Sequence, residues 1–374
     1  MTEPGRKRAP RPRSGDPVLD ARLDELLDAA GARHDHDRDQ LFEILVSAVG
    51  LAGDGVDRLD LKITNSALKE MRRAFRVFAP WRDVPKVTIF GSARTLPDDP
   101  LYSQTRDLAG ALAGAGWMIV TGAGPGIMAA GSEGAGPDHS LGVNIRLPFE
   151  GPNDFIGDDR KHVVMKYFFT RKLMLMKESA GFAVLPGGFG TLDETFELLT
   201  LLQTGKAAPT PIVLLDVPGG SYWQAWEHFV AAEMVGRGLA GAHDLLLCRS
   251  TDDVTTAVNE ILGFYRNYHS IRWVGSRLVV RLRAAPSAGE LAELNREFSD
   301  ICTRGGIDAT GPLGPEVSDG DHLDLARVSL EFDRINHGRL RAMIDALNGL
   351  ASAPPLASPP PDRARAAAAM PDEV

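Results

Sequence analysis

The stretch from Leu185 to Glu194, Leu-Pro-Gly-Gly-Phe-Gly-Thr-Leu-Asp-Glu, combines glycines, a threonine and two carboxylates. An apolar run precedes it and helically spaced apolar residues follow it, so a glycine turn joins a buried strand to a helix near Thr191. Unpaired N–H groups at a helix start attract an anion, most often a phosphate. Glycines without a Cβ let that ligand approach the backbone, and here they are Gly187, Gly188 and Gly190.

Two carboxylates, Asp193 and Glu194, lie one turn into this helix. The helix dipole stabilises them, but they would repel a phosphate. We therefore expect one of them to take part in the reaction rather than in phosphate binding. Upstream, Arg171 lies at a predicted helix start, where the dipole disfavours a cation, and this favours a functional role. Two alternatives stay open: Lys172 is the functional cation, or both cations pair with surface acids.

A second glycine turn, Gly122-x-Gly124-x-Gly126, leads to Met128. Its spacing differs from the dinucleotide fingerprint, and the strand ending at Arg146 has no following acid for an adenosine ribose, which disfavours a nicotinamide dehydrogenase. The turn either holds one phosphate or packs a helix on a strand. Three further polar residues have both a ligand-binding and a purely structural explanation: Ser92 after Gly91, Asn144 and Glu150.

Strands alternate with helices from Lys86 to Tyr268, the last strand being predicted at Leu245–Leu247 and the last helix at Asp252–Tyr268. This alternation predicts an α/β fold with a doubly wound, parallel, Rossmann-like sheet. Ligands of such sheets bind at the carboxyl ends of the strands, where the three glycine-bearing turns also fall.

The chain is divided by changes in composition and pattern. The predicted regions are a disordered basic tail at 1–16, N-terminal helices at 17–81, a Rossmann-like nucleotide-binding core at 82–270, a small C-terminal α+β extension at 271–351 and a disordered tail at 352–374. The basic side of the third N-terminal helix is interpreted as a solvated face.

Bulk composition excludes several classes of function. The 374 residues carry a net charge of −9, and basic residues outside the N-terminal tail alternate with acids, so we expect no nucleic-acid partner. The two cysteines and the dispersed histidines lack the spacing of metal ligands, which predicts no metal and no disulfide. No signal peptide or membrane-spanning segment is expected, and a cytoplasmic location is predicted.

The motif from Pro186 to Glu194 resembles the PGGxGTxxE signature of the Lonely Guy (LOG) family, and Arg171-Lys172-x-Met174 resembles its RKxxM segment. Gly91-Ser92 and Gly122–Met128 look like the first and second loops of that family. LOG proteins, long mislabelled lysine decarboxylases, are phosphoribohydrolases that cleave the N-glycosidic bond of nucleoside 5′-monophosphates.

The resemblance implies that Arg171 and Glu194 form the catalytic pair and that the glycine loops with Thr191 hold the nucleotide. It also implies a homodimer or higher homo-oligomer and no cofactor. The substrate is a cytokinin riboside monophosphate in some members and an ordinary nucleotide such as AMP in longer bacterial relatives. Phe168-Phe169 replaces a Met-His pair common in the family, and together with the terminal extensions this resembles the longer bacterial type.

The residues suit this chemistry. Cleaving a ribosyl C–N bond builds positive charge on C1′, which a carboxylate such as Glu194 stabilises while it positions or deprotonates water. Asp193 is then an ordinary first-turn acid. The alternative is a regulatory protein that binds a nucleotide without turnover, which the appended regions favour and an intact pair of Arg171 and Glu194 disfavours. The group that protonates the departing base is not identified.

Overall fold

The computed structural model of the chain describes residues 14–32, 37–146 and 159–356. Most of the two predicted disordered tails and Glu150 lie outside these residues. The chain divides into two compact units, one up to Lys69 and the other from Glu70 onward. The division into five regions remains a prediction.

The first unit consists of helices. They are α1 (Pro17–Ala29), α2 (Asp37–Gly50) and the start of α3 (Arg58–Phe78). The carboxylate of Asp16 accepts hydrogen bonds from the backbone N–H groups of Val18 and Leu19 and so caps α1. A small apolar cluster of Leu23, Leu27 and Phe42 joins the first two helices.

A parallel sheet of seven strands forms the centre of the second unit. The strands are β1 (Lys86–Phe90), β2 (Met118–Thr121), β3 (Ser140–Ile145), β4 (His162–Met165), β5 (Gly181–Val184), β6 (Ile212–Leu215) and β7 (Arg249–Thr251). Their order is β4-β3-β2-β1-β5-β6-β7, and every pairing is parallel. Val87 of β1 pairs with Ile119 of β2 on one side and with Gly181 of β5 on the other. The strand order reverses between β1 and β5, and the predicted doubly wound sheet is confirmed.

Five helices connect these strands, and a sixth follows β7. They are α4 (Pro100–Gly114), α5 (Ile127–His139), α6 (Phe168–Lys177), α7 (Phe189–Gln203), α8 (Tyr222–Phe229) and α9 (Val254–Gly263). The central strands are buried along their length, as expected when helices cover both faces of a parallel sheet. None of the described helices has the length and apolarity needed to cross a membrane.

The predicted strand at Leu245–Leu247 is wrong. These leucines belong to a short 3₁₀ turn at Asp244–Leu247, and the edge strand β7 begins at Arg249. The apolar run reflects the burial of Leu247 against the core, whereas the edge strand is short and exposed and therefore has no apolar pattern. The helix predicted at Asp252–Tyr268 is α9, which ends at Gly263.

The C-terminal extension is an antiparallel α+β unit. Its elements are β8 (Tyr268–Val274), β9 (Arg277–Leu282), α10 (Ala288–Phe298), β10 (Asp308–Ala309), α11 (Gly314–Asp319), β11 (Ala326–Leu330) and α12 (His337–Gly349), with strand order β10-β11-β9-β8. Val280 and Met343 belong to the same apolar cluster as Ile89 and Leu108 of the parallel-sheet region. The extension therefore shares a core with the sheet.

A buried charge network lies within the extension. The carboxylate of Glu316 accepts hydrogen bonds from Arg281 Nη2 at 2.7 Å and from Arg327 Nε at 3.2 Å, and all three side chains are buried. Burial alone would raise the pKa of Glu316, but the backbone N–H of Leu313 and the guanidiniums lower it below its ordinary value. The carboxylate thus balances two cations that have little access to water.

Replacing this carboxylate tests its role in stability. Glu316→Gln removes the carboxylate that pairs with buried Arg327 and leaves buried Arg281 with Asp321 as its remaining carboxylate partner among the described residues, so we expect a loss of about 3–5 kcal/mol in the free energy of unfolding. Urea denaturation measures the change. Asp308→Asn breaks the exposed pair with Arg277 and is expected to cost less than about 1 kcal/mol. Equal effects of the two substitutions would contradict the expectation.

Candidate functional site

A cleft of about 660 Å³ lies at the carboxyl ends of the central strands. It is bounded by the loops after β1, β2 and β5, the end of β3 and the starts of α6 and α7. Its walls include every residue that the sequence predicted for catalysis or binding except Gly126: Gly91, Ser92, Gly122, Gly124, Met128, Arg171, Gly187, Gly188, Gly190, Thr191 and Glu194.

Gly126 packs the second loop against the first. Its φ is 66°, and a Cβ there would lie 2.4 Å from the carbonyl oxygen of Ser92. Ile127 N–H donates to that same oxygen at 3.0 Å, and a Cβ on Gly91 would lie 2.6 Å from the Ile127 side chain. The two loops interlock here, and this contact explains the glycines at both positions.

The third glycine loop, which follows β5, is held by hydrogen bonds on two sides. Ser92 N–H donates to the carbonyl of Pro186 at 3.3 Å, and the Tyr222 hydroxyl donates to the carbonyl of Gly187 at 2.7 Å. A Cβ on Gly187 would lie 2.2 Å from Thr191 Oγ1, so only glycine fits there. Tyr222, on the helix after β6, is a supporting residue that the sequence did not reveal.

Helix α7 begins at this loop with unpaired donors. Its first intrahelical hydrogen bond runs from Leu192 N–H to Gly188 O at 3.1 Å, and no side chain caps its start. The N–H groups of Phe189, Gly190 and Thr191 precede that bond and have no acceptor within a helix. Nothing lies within 4 Å of where a Cβ would stand on Gly190, so a ligand can approach the backbone. This is the arrangement that binds a phosphate-sized anion.

Arg171 and Glu194 meet in the cleft. Arg171 Nη1 lies 3.5 Å from Glu194 Oε1, and each residue is 9% exposed. Arg171 Nε donates to the carbonyl of Val143 at 2.9 Å. A Cβ on Gly122 would lie 2.0 Å from Arg171 Nη2, so this glycine provides the space that the guanidinium occupies. The Val143 carbonyl and the space beside Gly122 together fix the position of the Arg171 guanidinium.

An acid from α3, Glu70, lies at the start of α6, the helix that carries Arg171. The carboxylate of Glu70, on α3, accepts hydrogen bonds from the Thr170 hydroxyl at 2.7 Å and from Lys166 N–H at 3.1 Å. Acids at a helix start are favoured by the dipole. Glu70 is separated from α6 by about a hundred residues, so no local pattern in the sequence indicated this contact.

Lys172, the other candidate cation, pairs with two acids of α7. Lys172 Nζ lies 3.0 Å from Asp193 Oδ2 and 2.5 Å from Glu197 Oε2. Lys172 thus joins α6 to α7, while Arg171 contacts Glu194. The side chain of Asp193 is 58% exposed, and because α7 begins at Phe189, Asp193 lies beyond the first turn in which it was predicted.

Burial raises the pKa of Glu194 to about 7. The charge of Arg171 acts in the opposite direction and lowers it, and the charge of Asp193 raises it slightly further. The carboxyl group therefore exchanges its proton near neutral pH, as a group that takes up and returns protons must do.

The cleft also contains residues that the sequence did not single out. Arg94 is an exposed cation two residues beyond Ser92, and its place in the first glycine loop was the available signal. Phe168 and Phe189 are exposed aromatic residues at the edge of the cleft. Among the described residues, no group of three or more His, Cys, Asp or Glu side chains is arranged to hold a metal.

The space beside Gly122 leads to a test of the electrostatics. In Gly122→Ala, the added Cβ displaces the Arg171 guanidinium, and we expect the pKa of Glu194 to rise above about 7 because the cation that lowers it moves away. Carbon-13 NMR titration of labelled glutamate carboxyls measures this, with Glu194→Gln identifying the resonance. Gly114→Ala has open space around its Cβ and serves as the control. An unchanged pKa in Gly122→Ala would show that Arg171 does not set it.

The chain is similar to proteins of known family. The family model described as "Possible lysine decarboxylase" matches residues 125–261. Cytokinin riboside 5′-monophosphate phosphoribohydrolase LOG3 of Arabidopsis thaliana is 35% identical over 86 residues, which are 22% of this chain and 38% of that protein. The match thus spans little more than a third of the plant relative.

A bacterial relative matches over more of its length. The cytokinin riboside 5′-monophosphate phosphoribohydrolase of Mycobacterium tuberculosis is 32% identical over 139 residues, 35% of this chain and 68% of that protein. Among solved structures, the molybdenum cofactor binding protein from Rippkaea orientalis superposes with a TM-score of 0.34 at 18% identity, covering 47% of this chain and 94% of that one. From the extent of the mycobacterial match, the chain belongs to the LOG family, the "Possible lysine decarboxylase" family of the matching model.

Proposed function

We propose that the protein hydrolyses the N-glycosidic bond of nucleoside 5′-monophosphates, releasing a free base and ribose 5-phosphate. The observation that carries this proposal is a buried carboxylate–guanidinium pair, Glu194 and Arg171, in the same cleft as an uncapped helix start. The helix start suits the phosphate, and the pair suits the reacting carbon of the ribose. Family membership supports the same reaction class.

The width of the cleft suits a nucleotide. The loop after β5 and the end of β3 are separated by three strand spacings, because β1 and β2 lie between them. Neighbouring strands are about 4.8 Å apart, so the cleft spans about 14 Å across the sheet. A phosphate at the start of α7 leaves room for a ribose beside Arg171 and for a base near β3.

The reaction follows from the pair. As the C1′–N bond breaks, positive charge grows on C1′, and ionised Glu194 stabilises it. Glu194 also takes a proton from the attacking water, whose oxygen bonds to C1′. In the overall reaction, the hydroxyl group of the water becomes bonded to C1′, and the remaining proton of the water is transferred to the base. Arg171 orients Glu194 or the ribose hydroxyls, and the phosphate contacts hold the sugar in place.

The proposal extends to the setting of the enzyme. We place it in the cytoplasm, acting as a homodimer or higher homo-oligomer without redox cofactor, metal or nucleic acid. Phe168, Phe169 and Phe189 are exposed at or next to the rim of the cleft, and clustered exposed aromatic residues are typical of surfaces that a partner covers. The names of the relatives suggest cytokinin riboside monophosphate as a substrate, and AMP is the second substrate class that we propose.

Removing the carboxylate tests the proposal. Wild-type protein incubated with AMP, GMP, CMP, IMP or isopentenyladenosine monophosphate is expected to release free base, detected by chromatography. Glu194→Gln is expected to lower kcat by at least about a hundredfold while nucleotides still bind, because the charge that stabilises C1′ is lost. Glu197→Gln, one turn further along α7 and outside the cleft wall, is the control.

A loss of activity in Glu194→Gln is not expected to result from unfolding. Burial raises the pKa of Glu194 from 4.5 to about 7, so ionising it lowers stability as the pH rises through that interval. Glu194→Gln is therefore expected to have a Tm at pH 8 no lower than wild type. No release of base from any of the nucleotides by wild-type protein would refute the enzyme, and full turnover by Glu194→Gln would show that another group acts.

The pH dependence tests the protonation state. Because the ionised form of Glu194 is the active one, kcat/KM is expected to fall about tenfold per pH unit below about pH 7 and to level off above it. Initial rates from about pH 5 to about pH 9 measure the profile. In Gly122→Ala the break should move to higher pH together with the pKa. A profile that rises toward low pH would contradict the role of Glu194 as base.

A further inference from the structure

Asn144 has a buried polar side chain in the wall of the cleft. It lies near the end of β3, is 9% exposed and lines the cleft. Among the described residues, none forms a hydrogen bond with its side-chain amide. Buried polar groups are normally hydrogen-bonded, and leaving one unpaired costs about 1–3 kcal/mol. An unpaired amide that faces a cleft indicates that a ligand supplies the partner.

The surroundings of Asn144 suit the base of the nucleotide. Asn144 follows Val143, whose carbonyl accepts the hydrogen bond from Arg171, and β3 lies three strands away from β5, the strand that leads to α7. The wall of the same cleft includes the apolar side chains of Met128, Ile145 and Phe168. A flat apolar ring with a few polar atoms on its edge fits a pocket of apolar walls with one orienting polar group.

We propose that Asn144 is a specificity-determining residue that recognises adenine, an inference that rests on the proposed function. A carboxamide offers one donor and one acceptor side by side. Adenine presents the complementary pair, the N6 amino donor beside the N7 acceptor, and asparagine forms two hydrogen bonds with it. Guanine and hypoxanthine present two acceptors at that edge, O6 and N7, so they form only one. We place the N6/N7 edge of the base against Asn144, and contact at this edge selects AMP over IMP and GMP.

The comparison of AMP with IMP isolates this contact. In wild-type protein we expect kcat/KM for AMP to exceed that for IMP about tenfold or more, the discrimination typical of a two-bond amide contact. Asn144→Leu keeps the volume but removes both hydrogen bonds, and the ratio is expected to fall to within about threefold of one. Because both substrates are measured on the same preparation, a partly unfolded sample changes both rates equally and leaves the ratio intact.

A control variant and a binding measurement complete the test of Asn144. Asn259→Leu, an exposed asparagine on α9 outside the cleft, is expected to keep the wild-type ratio. Calorimetric titration with AMP and IMP in the Glu194→Gln background gives the same ratio from Kd, without turnover. Loss of hydrolysis with a preserved and Asn144-dependent binding ratio would overturn the proposed function alone. A ratio that Asn144→Leu leaves within twofold of wild type, or a wild type that does not prefer AMP, would overturn the role of Asn144.

Discussion

The site depends on keeping a buried carboxylate close to a buried guanidinium without neutralising it. A bidentate contact would lower the pKa of Glu194 and make it a weaker base. The distance of 3.5 Å from Arg171 avoids this, because the guanidinium is also held by the carbonyl of Val143 and lies in the space left by Gly122. Burial then outweighs the attraction, and the pKa stays near 7. Under the proposed function, fixing the cation from outside the pair keeps Glu194 able to act as a base.

The glycines of the loops serve two different purposes. Gly126 and Gly187 are required where one loop or side chain packs against another, since a Cβ would lie within 2.4 Å of Ser92 O or within 2.2 Å of Thr191 Oγ1. Gly188 and Gly190 have open space instead and leave the start of α7 accessible. A glycine-rich motif thus encodes loop packing as much as ligand approach.

The sequence predicted what local patterns encode. Buried strands have continuous apolar runs, so the parallel sheet could be derived, whereas the exposed edge strand β7 has no such run and three neighbouring leucines were mistaken for it. The motif ending at Glu194 located the cleft. The pairing of Lys172 with Asp193, the cap provided by Glu70 and the support from Tyr222 depend on how distant elements pack, which spacing along one chain does not show.

The two ends of the cleft are formed by different chemical groups, backbone N–H groups at one end and side chains at the other. At the start of α7 the donors are backbone N–H groups, which remain when any side chain other than proline is substituted. Near β3 the walls are side chains, among them Asn144 and Phe168. Under the proposed function, the phosphate end accepts any nucleoside monophosphate, and the choice of base depends on a few replaceable side chains. Base preference can therefore change by substitution near β3 while the Arg171–Glu194 pair and its supports stay intact.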